Sequence, residues 1–129
     1  MNHIKILIVD DEVRLCNLIK RGLEQLSDGY EIHTANSGMQ AIEILKKGSF
    51  DVIVTDIRMP VISGIELLNR ADEFQKNLQK IIMTGHGSMD GDLQAALKQN
   101  KPINYFKKPL SFEVLHNTIA ANFTSEAMR

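Results

Sequence analysis

Short apolar, β-branched runs alternate with stretches of helical periodicity along this chain, and few folds accommodate that alternation. The runs are Ile4–Val9, Glu31–Ala35, Asp51–Thr55, Lys80–Thr84 and Ile103–Lys107. After the first, Leu15, Ile19 and Leu26 recur at helical spacing with Cys16 and Leu23 beside them. Ala41, Ile42, Ile44 and Leu45 do so after the second, and Ile65, Leu67, Leu68 and Phe74 after the third. Leu93, Ala96 and Leu97 mark a fourth helix, and Val114, Leu115 and Ile119 a fifth. Strand–helix repetition implies a parallel sheet with right-handed crossovers and helices on both faces. The first, third and fourth runs are almost continuously apolar, as central parallel strands are. The second and fifth are mixed and suit edges. A doubly wound, flavodoxin-like α/β sheet of order 2-1-3-4-5 meets both conditions. It also makes the first and third strands neighbours at the topological switch point, beside the strand ends where ligands bind.

Local punctuation agrees with these elements. Ser37 with Gln40 and Ser63 with Glu66 are capping-box patterns, Ser111 can cap the last helix, and Gly48 ends the second. Asn100-Lys101-Pro102 breaks the fourth helix. A chain of 129 residues with no linker or repeat reads as one domain, over residues 1–123, with 124–129 as a tail or the start of a linker. A formal net charge of −1 gives no drive toward nucleic acid or an anionic membrane. No apolar stretch approaches the roughly 18–20 residues of a membrane span, and no leader opens the chain, so the expectation is a cytoplasmic protein. Cys16 stands alone, which excludes a disulfide framework and a cysteine-based zinc site and leaves a small buried hydrophobe. His3, His33 and His116 lack metal-ligand spacing and read as solvated surface residues.

The strand ends carry the chemistry. Asp10 and Asp11 close the first strand and Asp56 the third, so in this strand order three carboxylates meet at one crevice. Like charges at such range repel and raise one another's pKa. A hard divalent cation relieves this, and carboxylates with a carbonyl and waters suit Mg²⁺. Pro60 holds Asp56 at the mouth of its strand, in a loop open to solvent. Opposite, the fourth strand ends on the Thr84 hydroxyl and the fifth on Lys108. Acidic oxygens facing a hydroxyl and an ammonium are the equipment of phosphoryl transfer, with Asp56 placed to attack. Each residue also has an ordinary use. Asp10, Asp11 and Glu12 can cap the first helix, Asp56 can open the Pro60 turn, and Thr84 and Lys108 can be solvated strand-end residues.

The motifs Ile8-Val9-Asp10-Asp11-Glu12, Asp56-Ile57-Arg58-Met59-Pro60-Val61-Ile62-Ser63-Gly64, Met83-Thr84-Gly85-His86-Gly87 and Tyr105-Phe106-Lys107-Lys108-Pro109 resemble those of CheY-like response-regulator receiver domains, from about Lys5 to Phe123. The resemblance implies that Asp56 accepts a phosphoryl group from a sensor histidine kinase or phosphotransfer protein. It implies Mg²⁺ held by Asp11, Asp56 and the Arg58 backbone carbonyl, with Asp10 acting largely through water. Thr84 and Lys108 would bind the phosphoryl oxygens, and Tyr105 would be the aromatic switch, though an ordinary edge-strand aromatic is its alternative. Lys108 is preferred to Lys107 because it directly precedes Pro109. Arg58 and His86 fall where the family modulates the lifetime of the aspartyl phosphate. Fourth helix, fifth strand and fifth helix form the implied output face, for an output domain, another protein or a second copy of the chain, without direct nucleic-acid or membrane binding. The connection 99–103 is slightly long for the family, and Gly91 should loosen the fourth helix. A haloacid-dehalogenase-type phosphohydrolase would need a second aspartate two residues beyond its nucleophile on the first strand, where Glu12 stands. A receiver that no longer takes phosphate would have lost site residues, and none is lost. An acidic first loop repels the phosphate of a flavin.

Overall fold

The structure, a computed structural model, describes residues 3–85, 103–108 and 111–127, with side chains through Phe123. Five parallel strands, β1 (Ile4–Val9), β2 (Tyr30–Ala35), β3 (Val52–Asp56), β4 (Gln79–Thr84) and β5 (Ile103–Lys107), form one sheet of order β2-β1-β3-β4-β5. Four helices are described: α1 (Val13–Leu26), α2 (Gly38–Lys47), α3 (Gly64–Ala71) and α4 (Phe112–Ala127). The expected helix through Leu93 and Leu97, with Gly91, His86, Pro102 and Pro109, lies outside the described residues.

Alternation along the strands builds two cores. Leu7, Val9, Ile53 and Ile82 pack with the α2 and α3 side chains Ile42, Leu45, Leu67 and Leu68. Ile6, Ile8, Val54, Ile81 and Met83 face Cys16, Ile19, Leu23, Leu115 and Ile119 from α1 and α4. The α1 stripe is therefore Cys16–Ile19–Leu23; Leu26, expected on it, is 40% exposed because the helix ends there. Central strands β1, β3 and β4 are almost wholly buried, while β2 and β5 are the mixed edges.

The serine caps form. Ser37 Oγ accepts from Gln40 N at 3.0 Å, Ser63 Oγ from Glu66 N at 3.2 Å and Ser111 Oγ from Val114 N at 3.3 Å. Gln40 returns its side-chain oxygen to Asn36 N at 2.7 Å, one residue upstream of the usual reciprocal partner. Glu66 turns instead to Arg70, 3.0 Å away. Helix α3 stops at Ala71, so Phe74 lies beyond it and stays partly exposed. Gly48 ends α2 in extended backbone, φ −154°. The freed carbonyls of Leu45 and Gly48 are taken by Gln75 Nε2 at 2.9 and 2.8 Å, while Gln75 Oε1 accepts from Phe50 N at 3.1 Å.

The turn after β3 carries backbone strain. Val61 has φ 71° and is 92% exposed, and Ile62 N donates to Pro60 O at 2.8 Å, the bond of a γ-turn centred on Val61. A β-branched residue at positive φ costs about 1–3 kcal/mol, with no burial here to offset it. Val61→Gly should stabilise the protein by about 1 kcal/mol after the extra chain entropy of glycine is counted. Urea denaturation checks this, and an unchanged or lower midpoint would show that the turn relaxes without help.

Candidate functional site

Parallel register brings the acidic strand ends together. Val9 lies opposite Thr55, so the residues that follow, Asp10 and Asp56, emerge side by side. Carboxylate oxygens of Asp10, Asp11 and Asp56 lie within 4.8 Å of one another, the only such group among the described residues. Asp10 and Asp56 are buried and Asp11 is exposed, which leaves the cluster open on one side. Three carboxylate oxygens converging with one solvent-facing edge suit a hard divalent cation that keeps several waters.

Asp56 is the last residue of β3 itself, and its side chain is 12% exposed. The expectation of an aspartate in an open loop is corrected here: the ladder with β4 extends to the Asp56–Met83 pair, and Lys108 covers the carboxylate. Lys108 Nζ sits 3.0 Å from Asp10 Oδ2 and 3.3 Å from Asp56 Oδ2. Its other anchor is the backbone, where Lys108 N donates to Thr84 O at 2.8 Å. Lys107 pairs with Thr84 inside the ladder and is exposed. Asp56 Oδ1 accepts from Ile57 N at 2.8 Å, and Asp10 Oδ1 accepts from Glu12 N at 2.9 Å.

Electrostatics follow from this packing. Burial raises the Asp56 pKa above the ordinary carboxylate value; Asp10 adds to the shift and the Lys108 ammonium only partly opposes it. Burial works against the Lys108 ammonium too, but its hydrogen bond to Asp10 and the charges of Asp56 and Asp10 outweigh that and raise its pKa. Cys16, tucked beneath the site, is pushed up to about 11 by burial and by Asp10, so it is a neutral thiol.

The remaining candidates are spread more widely. Thr84 is buried at the end of β4, Arg58 is exposed two residues past Asp56, and Tyr105 is 38% exposed on β5. His86 lies outside the described residues. Of the surface histidines, His33 is exposed and pairs with Glu31 at 2.7 Å. His116 is not simply solvated: its Nδ1 lies 2.6 Å from the Tyr30 hydroxyl, fastening α4 to the start of β2. The contact joins residues 86 positions apart, and no local pattern marks it. Asn36 and Gly64 beside the carboxylates also escaped a residue-by-residue reading. Among the described residues no helix is long and apolar enough to cross a membrane.

Comparison with known proteins agrees with this geometry. Residues 6–120 match the family model of the response regulator receiver domain. The chain is 36% identical over 115 residues to the chemotaxis protein CheY-3 of Vibrio cholerae, covering 88% of this chain and 86% of that one. It is 30% identical over 119 residues to sporulation initiation phosphotransferase F of Bacillus subtilis, covering 92% and 93%. With the transcriptional regulatory protein ZraR of Klebsiella oxytoca it shares 33% identity over 118 residues, which is 92% of this chain but 26% of that regulator. The chain thus spans about a quarter of the length of the transcriptional regulators it matches. Among solved structures, a receiver domain protein from Clostridium thermocellum superposes with a TM-score of 0.82 at 32% identity, covering 96% and 97% of the two chains.

Proposed function

This chain belongs to the response regulator receiver domain family, and from that premise we propose that Asp56 is its phosphoacceptor, working with Mg²⁺ on a phosphoryl group drawn from a sensor histidine kinase or phosphotransfer protein. As a receiver it is a signalling phosphoacceptor of two-component systems rather than a conventional enzyme. The observation that carries the proposal is the cluster of Asp10, Asp11 and Asp56 with Lys108 Nζ bridging two of them.

In the proposed reaction an Asp56 carboxylate oxygen attacks phosphorus in line as the P–N bond of the phosphohistidine breaks, and the bonding pair returns to the imidazole nitrogen. Asp56 must be ionised to attack, and the neighbouring Lys108 charge is what favours that form against burial. Mg²⁺, when bound, neutralises the carboxylates and the phosphoryl oxygens. Asp11, Asp56 and the Arg58 carbonyl are the proposed direct ligands, with Asp10 acting largely through water. Thr84 and Lys108 are assigned to the phosphoryl oxygens, and Arg58 and His86 to the lifetime of the product. Tyr105 is assigned to the switch, turning inward as Thr84 moves toward the phosphoryl group. The output is a population shift of the face formed by the helix expected through Leu93–Leu97, β5 and α4. An output domain, a separate protein or a second copy would read that face. Residues 1–123 are proposed as the receiver unit and 124–129 as a tail or the beginning of a linker, acting in the cytoplasm.

A small-molecule acyl phosphate with Mg²⁺ should add one phosphoryl group, read by intact mass, and change the amide spectrum of β5. Lys108→Ala should abolish that spectral change and Lys107→Ala should largely spare it. The reverse result would move the role to Lys107.

A further inference from the structure

We propose that Asn36 is a positioning residue for the metal-facing carboxylates, acting through the peptide group between Asp10 and Asp11; the inference rests on the reading of the aspartate cluster as a Mg²⁺ site. Asn36 directly follows β2, and its Nδ2 donates to the Asp10 backbone carbonyl at 3.4 Å. The thiol of Cys16 reaches the same carbonyl, also at 3.4 Å, and Asn36 Nδ2 lies 3.8 Å from that sulfur. On the other side of the residue, Asp10 N donates to Ala35 O at 3.2 Å. Both peptide groups flanking Asp10 are therefore held by the end of an edge strand.

The peptide bond is planar, so an oriented Asp10 carbonyl also orients the Asp11 N–H and fixes where the Asp11 Cα, from which its side chain departs, is placed. Asp10 has its own supports in Glu12 N and Lys108 Nζ. Exposed Asp11 depends more on its backbone for aim. Of the two side chains on the carbonyl, a neutral thiol is a weak donor and the amide the stronger one. Asn36 is in turn fixed by its own N–H, which donates to Gln40 Oε1 at 2.7 Å. Because Ser37 caps α2 independently, the Asn36 side chain is not required to start that helix.

The test is Mg²⁺ titration by calorimetry on the wild type, Asn36→Ala and Asn36→Leu, with the amide resonance of Asp11 followed in the metal-free proteins. Both variants should bind Mg²⁺ about three- to tenfold more weakly, the range expected for one hydrogen bond. The Asp11 amide should shift and broaden, while labelling at saturating Mg²⁺ stays near the wild-type rate. Leucine fills the same space without a donor, so equal losses in both variants identify the hydrogen bond rather than packing. Wild-type affinity in a folded Asn36→Ala protein, or recovery in Asn36→Leu, would overturn the inference and leave the Mg²⁺ site standing. A wild-type protein that binds no Mg²⁺ would remove both.

Discussion

Asp56→Asn should end phosphoryl acceptance and, at neutral pH, yield the more stable protein. The first half follows from chemistry: a carboxamide oxygen forms no acyl phosphate, so labelling should fall at least a hundredfold, to the level of side reactions. The second half follows from placement. Asp56 is buried against Asp10 and close to Asp11, and Lys108 is shared between the two buried carboxylates. Its carboxyl pKa is raised in the fold, first by burial and then by Asp10. The folded state therefore holds the Asp56 proton more tightly than the unfolded chain does, and above the folded pKa the ionised carboxylate opposes folding. Asparagine removes that opposition, and Lys108 keeps Asp10 as its partner. The gain should be about 1 kcal/mol, in the range seen when a functional site is relaxed. It should be full at neutral pH and shrink as the pH falls through the folded pKa of Asp56 in the wild type. Denaturation midpoints across pH, without Mg²⁺, give the comparison. A variant less stable than the wild type at pH 7 would mean that the Lys108 pair outweighs burial.

Gly64→Ala should be the most damaging of the single-methyl changes around the site. Gly64 N donates to Ile57 O at 2.7 Å, which draws the start of α3 directly onto the end of β3. A Cβ at position 64 would run into the backbone carbonyl oxygen of Asp56, with Asp56 C and Ile57 Cα only 3.0 Å away. These are backbone atoms at the end of a central strand and in the residue directly after it, so no side chain can swing aside. The expected cost is about 3 kcal/mol or more, at the upper end for overpacking, with Tm lowered by roughly 10 °C. Because the clash is with Asp56 itself, Mg²⁺ affinity and labelling should fall with stability. Gly48→Ala is the control: its nearest neighbour would be the flexible Lys5 Nζ at 3.4 Å, and little change is expected. Equal stability of the two variants would show that α3 shifts freely and that the contact does not constrain the site.

Gly64 shows where reading residues one at a time stops. Its place in a motif is visible, but the reason for it is a contact between two backbones that only the packed α3 and β3 create. Gln75 is similar. Nothing in its neighbours announces that it will hold backbone groups of Leu45, Gly48 and Phe50, 25 to 30 residues away. The depth of Asp56 was also hidden, because a strand-end aspartate reads as exposed until Lys108 is laid over it. By contrast, Ser37, Ser63 and Ser111 were legible as caps, since a cap is a bond between residues three apart. Of the five apolar residues that mark α1, Cys16, Ile19 and Leu23 are buried and Leu15 packs partly buried against them; Leu26 alone is exposed, because the helix ends there.

Read alone, the chain dictates the class of fold, the central and edge strands, the serine-capped starts of three helices and the strand tips on which the acids stand. All of these depend on periodicity and on bonds between near neighbours, which a linear chain states openly. Tertiary structure alone decided which oxygens converge, how deeply they are buried and which cation reaches them. Lys108 is 98 residues from Asp10, and their meeting at 3.0 Å comes from the ordering and register of the five strands, a global property that no short stretch of chain contains.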